Sequence, residues 1–161
     1  MDLARVAPLV TDLETELLAA YPALHRRLTL VLRDASLAED VSQNAFARAL
    51  EHRNRFSGGD ARAWLYTIGL RLAFNELRRR RQTVALTPAN EPTWAIASEP
   101  DLWVGLGRLE SRQRAALLLS ALDGYTHDEI AKMLEVRPGT VSSWISRAKD
   151  RMRVLLGEDE P

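Results

Sequence analysis

The sequence predicts an all-α protein built as two small helical domains joined by a flexible linker. Three observations carry this. Leu, Ala and Arg dominate the 161 residues, and apolar positions recur at helical spacing with no lasting alternation. A segment from Gln82 to Pro100 interrupts the pattern with Pro88, Pro92 and Pro100 among Thr, Ser and Asn. Helical periodicity resumes beyond Ser111. The expected domains are residues 1–84 and 107–156, with a linker over 85–106 and an acidic tail over 157–161.

In chain order, a first helix is expected from Leu3 to Ala20, stopped at Tyr21-Pro22, with a second over Ala23–Arg33. Ser36-Leu37-Ala38-Glu39 has the spacing of a capping box, which predicts the start of a third. That helix ends before Phe56-Ser57-Gly58-Gly59, and Asp60 caps a long helix to about Arg81. Within the linker, Trp94 and Ile96 suggest a packed stretch, and a short helix is expected over Asp101–Gly105. Further helices are expected over Ala115–Leu122, from the capping box Thr126-His127-Asp128-Glu129 to Leu134, and after Glu135–Gly139 to about Leu156.

Composition excludes several functions. There are no cysteines, so disulfide scaffolds, thiolate metal sites and cysteine nucleophiles are out. The three histidines lack metalloprotease spacing, and no acid, base, nucleophile or metal set converges. Neither enzymatic chemistry, a cofactor nor a metal is therefore expected. Charges interrupt every apolar run and the start lacks a signal-peptide pattern, which predicts a cytoplasmic protein without membrane insertion. Basic and acidic residues balance at 22 each, but unevenly along the chain. Residues 1–84 carry +3, residues 85–161 carry −3, and residues 62–81 alone hold six arginines against Glu76. Local charge, more than its sum, decides affinity for a polyanion.

Two helices carry candidate nucleic-acid faces. In the C-terminal half, Ala131, Val136 and the buried stripe Val141, Ile145, Ala148 and Met152 have helix-turn-helix spacing. The opposite stripe, Arg137, Thr140, Ser143, Trp144 and Arg147, suits a major groove. In the N-terminal half, Trp64, Thr67, Arg71, Asn75 and Arg78 form one narrow line on an otherwise apolar helix, extended by Arg79-Arg80-Arg81. Cations hold phosphates, Asn hydrogen-bonds base edges and aromatics stack on unpaired bases. The preceding helix shows an acidic, amide-rich face of Asp40, Gln43, Asn44 and Glu51, suited to a protein partner.

These segments resemble the extracytoplasmic-function (ECF) sigma factors of bacterial RNA polymerase. Ala38-Glu39-Asp40-Val41-Ser42-Gln43-Asn44-Ala45-Phe46-Ala47-Arg48-Ala49-Leu50 resembles region 2.2. Arg62-Ala63-Trp64-Leu65-Tyr66-Thr67-Ile68, running on to Asn75-Glu76-Leu77-Arg78-Arg79-Arg80, resembles regions 2.3 and 2.4. Arg112–Leu119, Tyr125–Ala131 and Gly139-Thr140-Val141 resemble region 4. The resemblance implies that region 2 binds the polymerase core through the face of Asp40, Gln43, Asn44 and Phe46. It further implies −10 promoter contacts by Trp64, Thr67, Arg71, Asn75, Arg78 and Arg79, and −35 contacts by Arg137, Thr140, Ser143, Trp144 and Arg147. An anti-sigma factor is implied as a further partner.

The chain departs from the family pattern in three places. Asn44 stands where an acidic residue is usual, Leu70-Arg71 where Arg-Asn is usual, and Ser142 and Trp144 where Lys and Arg are usual. Two other readings follow: a sigma-like mimic that binds an anti-sigma factor without recruiting polymerase, and a free-standing helix-turn-helix regulator. The latter needs a dimer on a palindromic site.

Overall fold

The computed structural model describes the backbone of residues 3–83 and 100–157, and side chains over 12–83 and 101–157. Every regular element among them is helical, and the chain divides into two compact units, residues 1–82 and 83–161.

The first unit opens with α1, Leu3–Leu32, which packs along α2, Ala35–Glu51. Two expected helices are thus one: α1 runs unbroken through Pro22. Pro22 takes the N–H away from the Leu18 carbonyl, a cost of about 3 kcal/mol in a helix interior. What offsets it is a single apolar stripe on both sides of the proline: Leu13, Leu17, Ala20, Leu24, Leu28 and Val31 are all buried. Pro22 and Leu18 lie on the exposed side, where water can serve the freed carbonyl.

The start of α2 also differs from expectation. Asp34, not Ser36, is the N-cap, and its carboxylate accepts from the Leu37 N–H at 2.9 Å. Arg33 just before it adopts the left-handed conformation (φ 55°), which turns the chain sharply out of α1. Glu39 is therefore released from a capping role and meets His25 of α1 at 3.1 Å.

After a 3₁₀ turn at Arg53–Arg55 comes α3, Ala61–Thr83, capped as expected by Asp60, which accepts from the Ala63 N–H at 3.2 Å. Its buried face is Ala61, Leu65, Tyr66, Gly69, Leu70 and Ala73. Gly69 is needed there, since a Cβ would come within 2.8 Å of Leu24 Cδ1 on α1.

The second unit begins, among the described residues, with α4, Pro100–Arg108, which starts within the expected linker (85–106) and runs two residues past its end. This helix is longer than the expected Asp101–Gly105 and docks on α7, Pro138–Leu156. A Cβ on Gly105 would lie 2.9 Å from the Met152 thioether. Trp94 and Ile96 fall outside the described residues. Next, α5, Ser111–Ala121, starts a turn earlier than expected because Glu110 caps the Arg112 and Gln113 N–H groups. Arg114, buried, then donates to the Leu106 and Leu109 carbonyls and ties α4 to α5.

The helix-turn-helix has the expected parts. Thr126 and Glu129 form a full capping box at the start of α6, His127–Leu134. Val141, Ile145, Ala148 and Met152 are the buried residues of α7. Between them Glu135 takes a left-handed conformation (φ 55°), and the Val136 N–H returns to the Ala131 carbonyl at 3.0 Å. Pro138 occupies the first turn of α7, where a missing N–H costs nothing. Gly157 (φ 72°) closes α7, and the acidic residues beyond it lie outside the described residues.

Candidate nucleic-acid interface

The burial of one face of α3 leaves its opposite side open. Along it, Trp64 and Thr67 are half-buried, whereas Arg71, Asn75, Arg78 and Arg79 are exposed. Trp64 is not a bare platform: its ring lies 5.3 Å from Phe56 at 48°, at the start of the loop carrying Gly58 and Gly59. Both glycines have positive φ (97° and 91°) with nothing near their Cβ positions, so the loop turns there without steric cost. Phe56 is a residue that sequence reading missed, since only the turn brings it back to Trp64. The Thr67 hydroxyl donates to the Ala63 carbonyl at 2.8 Å, which fixes its methyl and oxygen in one rotamer.

At the end of α3 the arginines separate into two kinds. Arg78 Nη2 donates to Asn75 Oδ1 at 2.9 Å, joining a cation and an amide on one exposed line. Arg79 Nη2 instead donates to Glu76 Oε1 at 2.8 Å. Arg80 reaches Asp34 Oδ2 at 3.4 Å and Glu76 Oε1 at 3.5 Å. The hydrogen bond from Arg79 is the main reason that the Glu76 carboxyl is held below the usual range, with the Arg79 and Arg80 charges adding to it against some desolvation. Arg79, grouped with Arg78 by sequence, therefore differs from it in its immediate partner.

On α7 the predicted stripe stays together. Arg137, the extended N-cap, and Arg147 are exposed, and Thr140, Ser143 and Trp144 are half-buried, outside the buried Val141–Ile145–Ala148 stripe but with Trp144 flanking it rather than opposite. Ser142 is separate. Its hydroxyl donates to the Pro138 carbonyl at 3.2 Å, and its oxygen lies 2.7 Å from His127 Nδ1 on α6. With the hydroxyl proton committed to Pro138, the serine oxygen suits a His127 tautomer with its proton on Nδ1.

On α2, Asp40, Gln43 and Asn44 share an exposed face, with Gln43 Nε2 donating to Glu39 Oε1 at 2.8 Å. Phe46 does not stand free on it. Half-buried, it packs edge-to-face on Tyr21 of α1 (5.7 Å, 81°). Burial, and then the Glu39 carboxylate, raise the pKa of the Tyr21 phenol. Asn44 also borders a cleft of about 490 Å³ lined by Ala47, Arg48, Glu51 and His52, with Leu72 of α3 as its far wall. The i, i+4, i+7 spacing of Asn44, Arg48 and Glu51 marks one helix face in the sequence, but Leu72 is added only by packing. Among the described residues no group of His, Asp and Glu could hold a metal ion, and no helix is long and apolar enough to cross a membrane.

Comparison with known proteins agrees with this layout. Residues 17–83 match the family model for Sigma-70 region 2, and residues 101–152 match that for Sigma-70, region 4. The chain is 30% identical over 161 residues to the ECF RNA polymerase sigma factor EcfG of Rhodopseudomonas palustris, covering 94% of this chain and 89% of that protein. It is 32% identical over 140 residues to the ECF RNA polymerase sigma factor SigM of Mycobacterium tuberculosis, covering 83% and 71% respectively. Among solved structures it resembles the sigma factor RpoE of Bartonella quintana, crystallised with the anti-sigma factor NepR. That match has a TM-score of 0.77 at 27% identity and covers 92% of this chain and 99% of that one.

Proposed function

The chain belongs to the ECF RNA polymerase sigma factors, and on that premise we propose how its surfaces divide the work of promoter-specific transcription initiation. Its partners are the polymerase core and promoter DNA, with an anti-sigma factor as regulator. It acts in the cytoplasm and has no catalytic chemistry of its own, since bond formation belongs to the polymerase. The similarity to sigma factors along nearly the whole chain favours this over a polymerase-blind mimic or a free-standing repressor.

The exposed face of α2 with Asp40, Gln43 and Asn44 meets the polymerase core; Phe46 supports that face through Tyr21. The α3 line meets the −10 element. Trp64, backed by Phe56, offers a ring face to an unstacked base, and Asn75 and Arg78 supply base-edge and phosphate bonds. Thr67, Arg71 and Arg79 border the same line. In the second unit, Arg137, Thr140, Ser143, Trp144 and Arg147 enter the major groove of the −35 element. Trp144 has no hydrogen bond to offer beyond its indole N–H, so it reads by apolar contact, as to thymine methyls.

The observation that supports the −10 assignment is the Asn75–Arg78 bond, an amide and a guanidinium side by side on the unburied side of α3, the two groups that suit base-edge and phosphate contact. In run-off transcription with purified core enzyme, Arg78→Ala should lower promoter opening about equally across −10 sequences. Asn75→Ala should narrow the difference between matched and mismatched −10 elements, by about 1–3 kcal/mol of discrimination. Unchanged activity of both variants on both promoters would remove the assignment.

A further inference from the structure

Six arginines occupy residues 62–81 with a single acidic residue, Glu76, among them. Its position is not that of an ordinary solvated carboxylate. The side chain is only 23% exposed, and it takes the Arg79 guanidinium at 2.8 Å and Arg80 Nε at 3.5 Å. Arg80 continues to Asp34, 46 residues earlier, whose other oxygen caps α2. One chain of charge, Glu76–Arg80–Asp34, thus joins the end of α3 to the start of α2 and sets two carboxylates against the Arg78–Arg81 run. Each carboxylate offers the arginines what a nucleic-acid phosphate offers, an anionic oxygen acceptor.

We propose that Glu76, assisted by Asp34, is a built-in competitor for nucleic-acid phosphate: it retains Arg79 and Arg80 within the protein and limits how many backbone phosphates the end of α3 neutralises. The inference rests on α3 being the −10 face. Exposed ion pairs are weak, so the competition trims affinity without abolishing it. Its consequence is a lower sequence-independent affinity. Phosphate contacts strengthen binding to every sequence alike, whereas Asn75 and Trp64 act on bases, so trimming the phosphate contacts lowers overall affinity and its salt dependence and leaves discrimination between −10 sequences unchanged.

The test uses holoenzyme reconstituted from core polymerase and the full chain, binding promoter DNA that is unpaired over the −10 element, with affinity measured across a salt series. Each phosphate contact contributes about 0.7–0.9 to the slope of log affinity against log salt. Glu76→Gln should steepen the slope by about one to two contacts' worth and tighten binding to matched and mismatched −10 sequences equally. Asp34→Asn keeps a competent helix cap and so separates folding from charge. It should steepen the slope by no more than one contact. In the unmodified background Arg80→Ala should leave the slope nearly unchanged, while Arg78→Ala should reduce it by about one contact. An unaltered slope in both Glu76→Gln and Asp34→Asn overturns the competitor role, even where Arg78→Ala upholds the −10 reading. An unaltered slope in Arg78→Ala overturns that reading, and the competitor role with it.

Discussion

Ser142 is an exposed residue of the recognition helix that bonds back to α6. Its bonds to the Pro138 carbonyl and His127 make it a clasp between the two helices of the helix-turn-helix. Removing the hydroxyl in Ser142→Ala should lower thermal stability by about 0.5–1.5 kcal/mol while leaving −35 sequence preference as it was. Selection of −35 sequences by the two holoenzymes checks the second half; a changed preference would place Ser142 on the DNA side after all. Trp144, half-buried and grouped with Thr140 and Arg147, is the contrasting case, with a −35 role proposed for it. The same distinction applies to the arginine run, where Arg78 and Arg79 are neighbours in sequence yet bond to an amide and a carboxylate respectively. Spacing alone shows which helical face a residue occupies, but which adjacent group takes its proton depends on rotamers.

At the scale of elements, local signals worked where they were short-range and unopposed. The Thr126–Glu129 capping box and the Asp60 cap formed as their sequences indicate, whereas α7 starts at Pro138, inside the expected turn. They failed where tertiary burial or a competing cap intervened. Pro22 normally stops a helix, yet the buried stripe from Leu13 to Val31 holds α1 straight through it. Pro22 is exposed, so Pro22→Ala should restore the bond to the Leu18 carbonyl without loss of packing. The gain expected in urea denaturation is about 1–3 kcal/mol. A loss of stability would show that the proline stiffens the unfolded chain by more than it costs the helix. Similarly, Ser36 lost the α2 cap to Asp34, because the tight exit from α1 at Arg33 puts the aspartate, not the serine, beside the first free N–H groups.

Across the whole molecule, the charge balance of zero is compatible with DNA binding because it is partitioned. The basic excess lies in the unit carrying α3, and part of it is neutralised by Glu76 and Asp34. Two modest DNA sites on one chain gain affinity through effective concentration when both are engaged on the same promoter. The free chain should therefore bind promoter DNA at least tenfold more weakly than the holoenzyme at physiological salt, as measured by fluorescence anisotropy at matched concentrations. Equal affinities would mean that the chain needs no polymerase to present its DNA faces. The helical class, the helix-turn-helix with its buried stripe, and the helical faces carrying Trp64, Asn75, Arg78 and Trp144 are legible in the amino-acid sequence alone. Each of these follows from a 3.6-residue period or a cap within four residues, so no distant contact is needed to read it. Packing, not local pattern, puts Pro22 within a helix, Phe56 behind Trp64, Phe46 against Tyr21 and Arg80 on Asp34. Those outcomes depend on groups far apart in the chain, or on packing free energy that outweighs a local preference of a few kcal/mol.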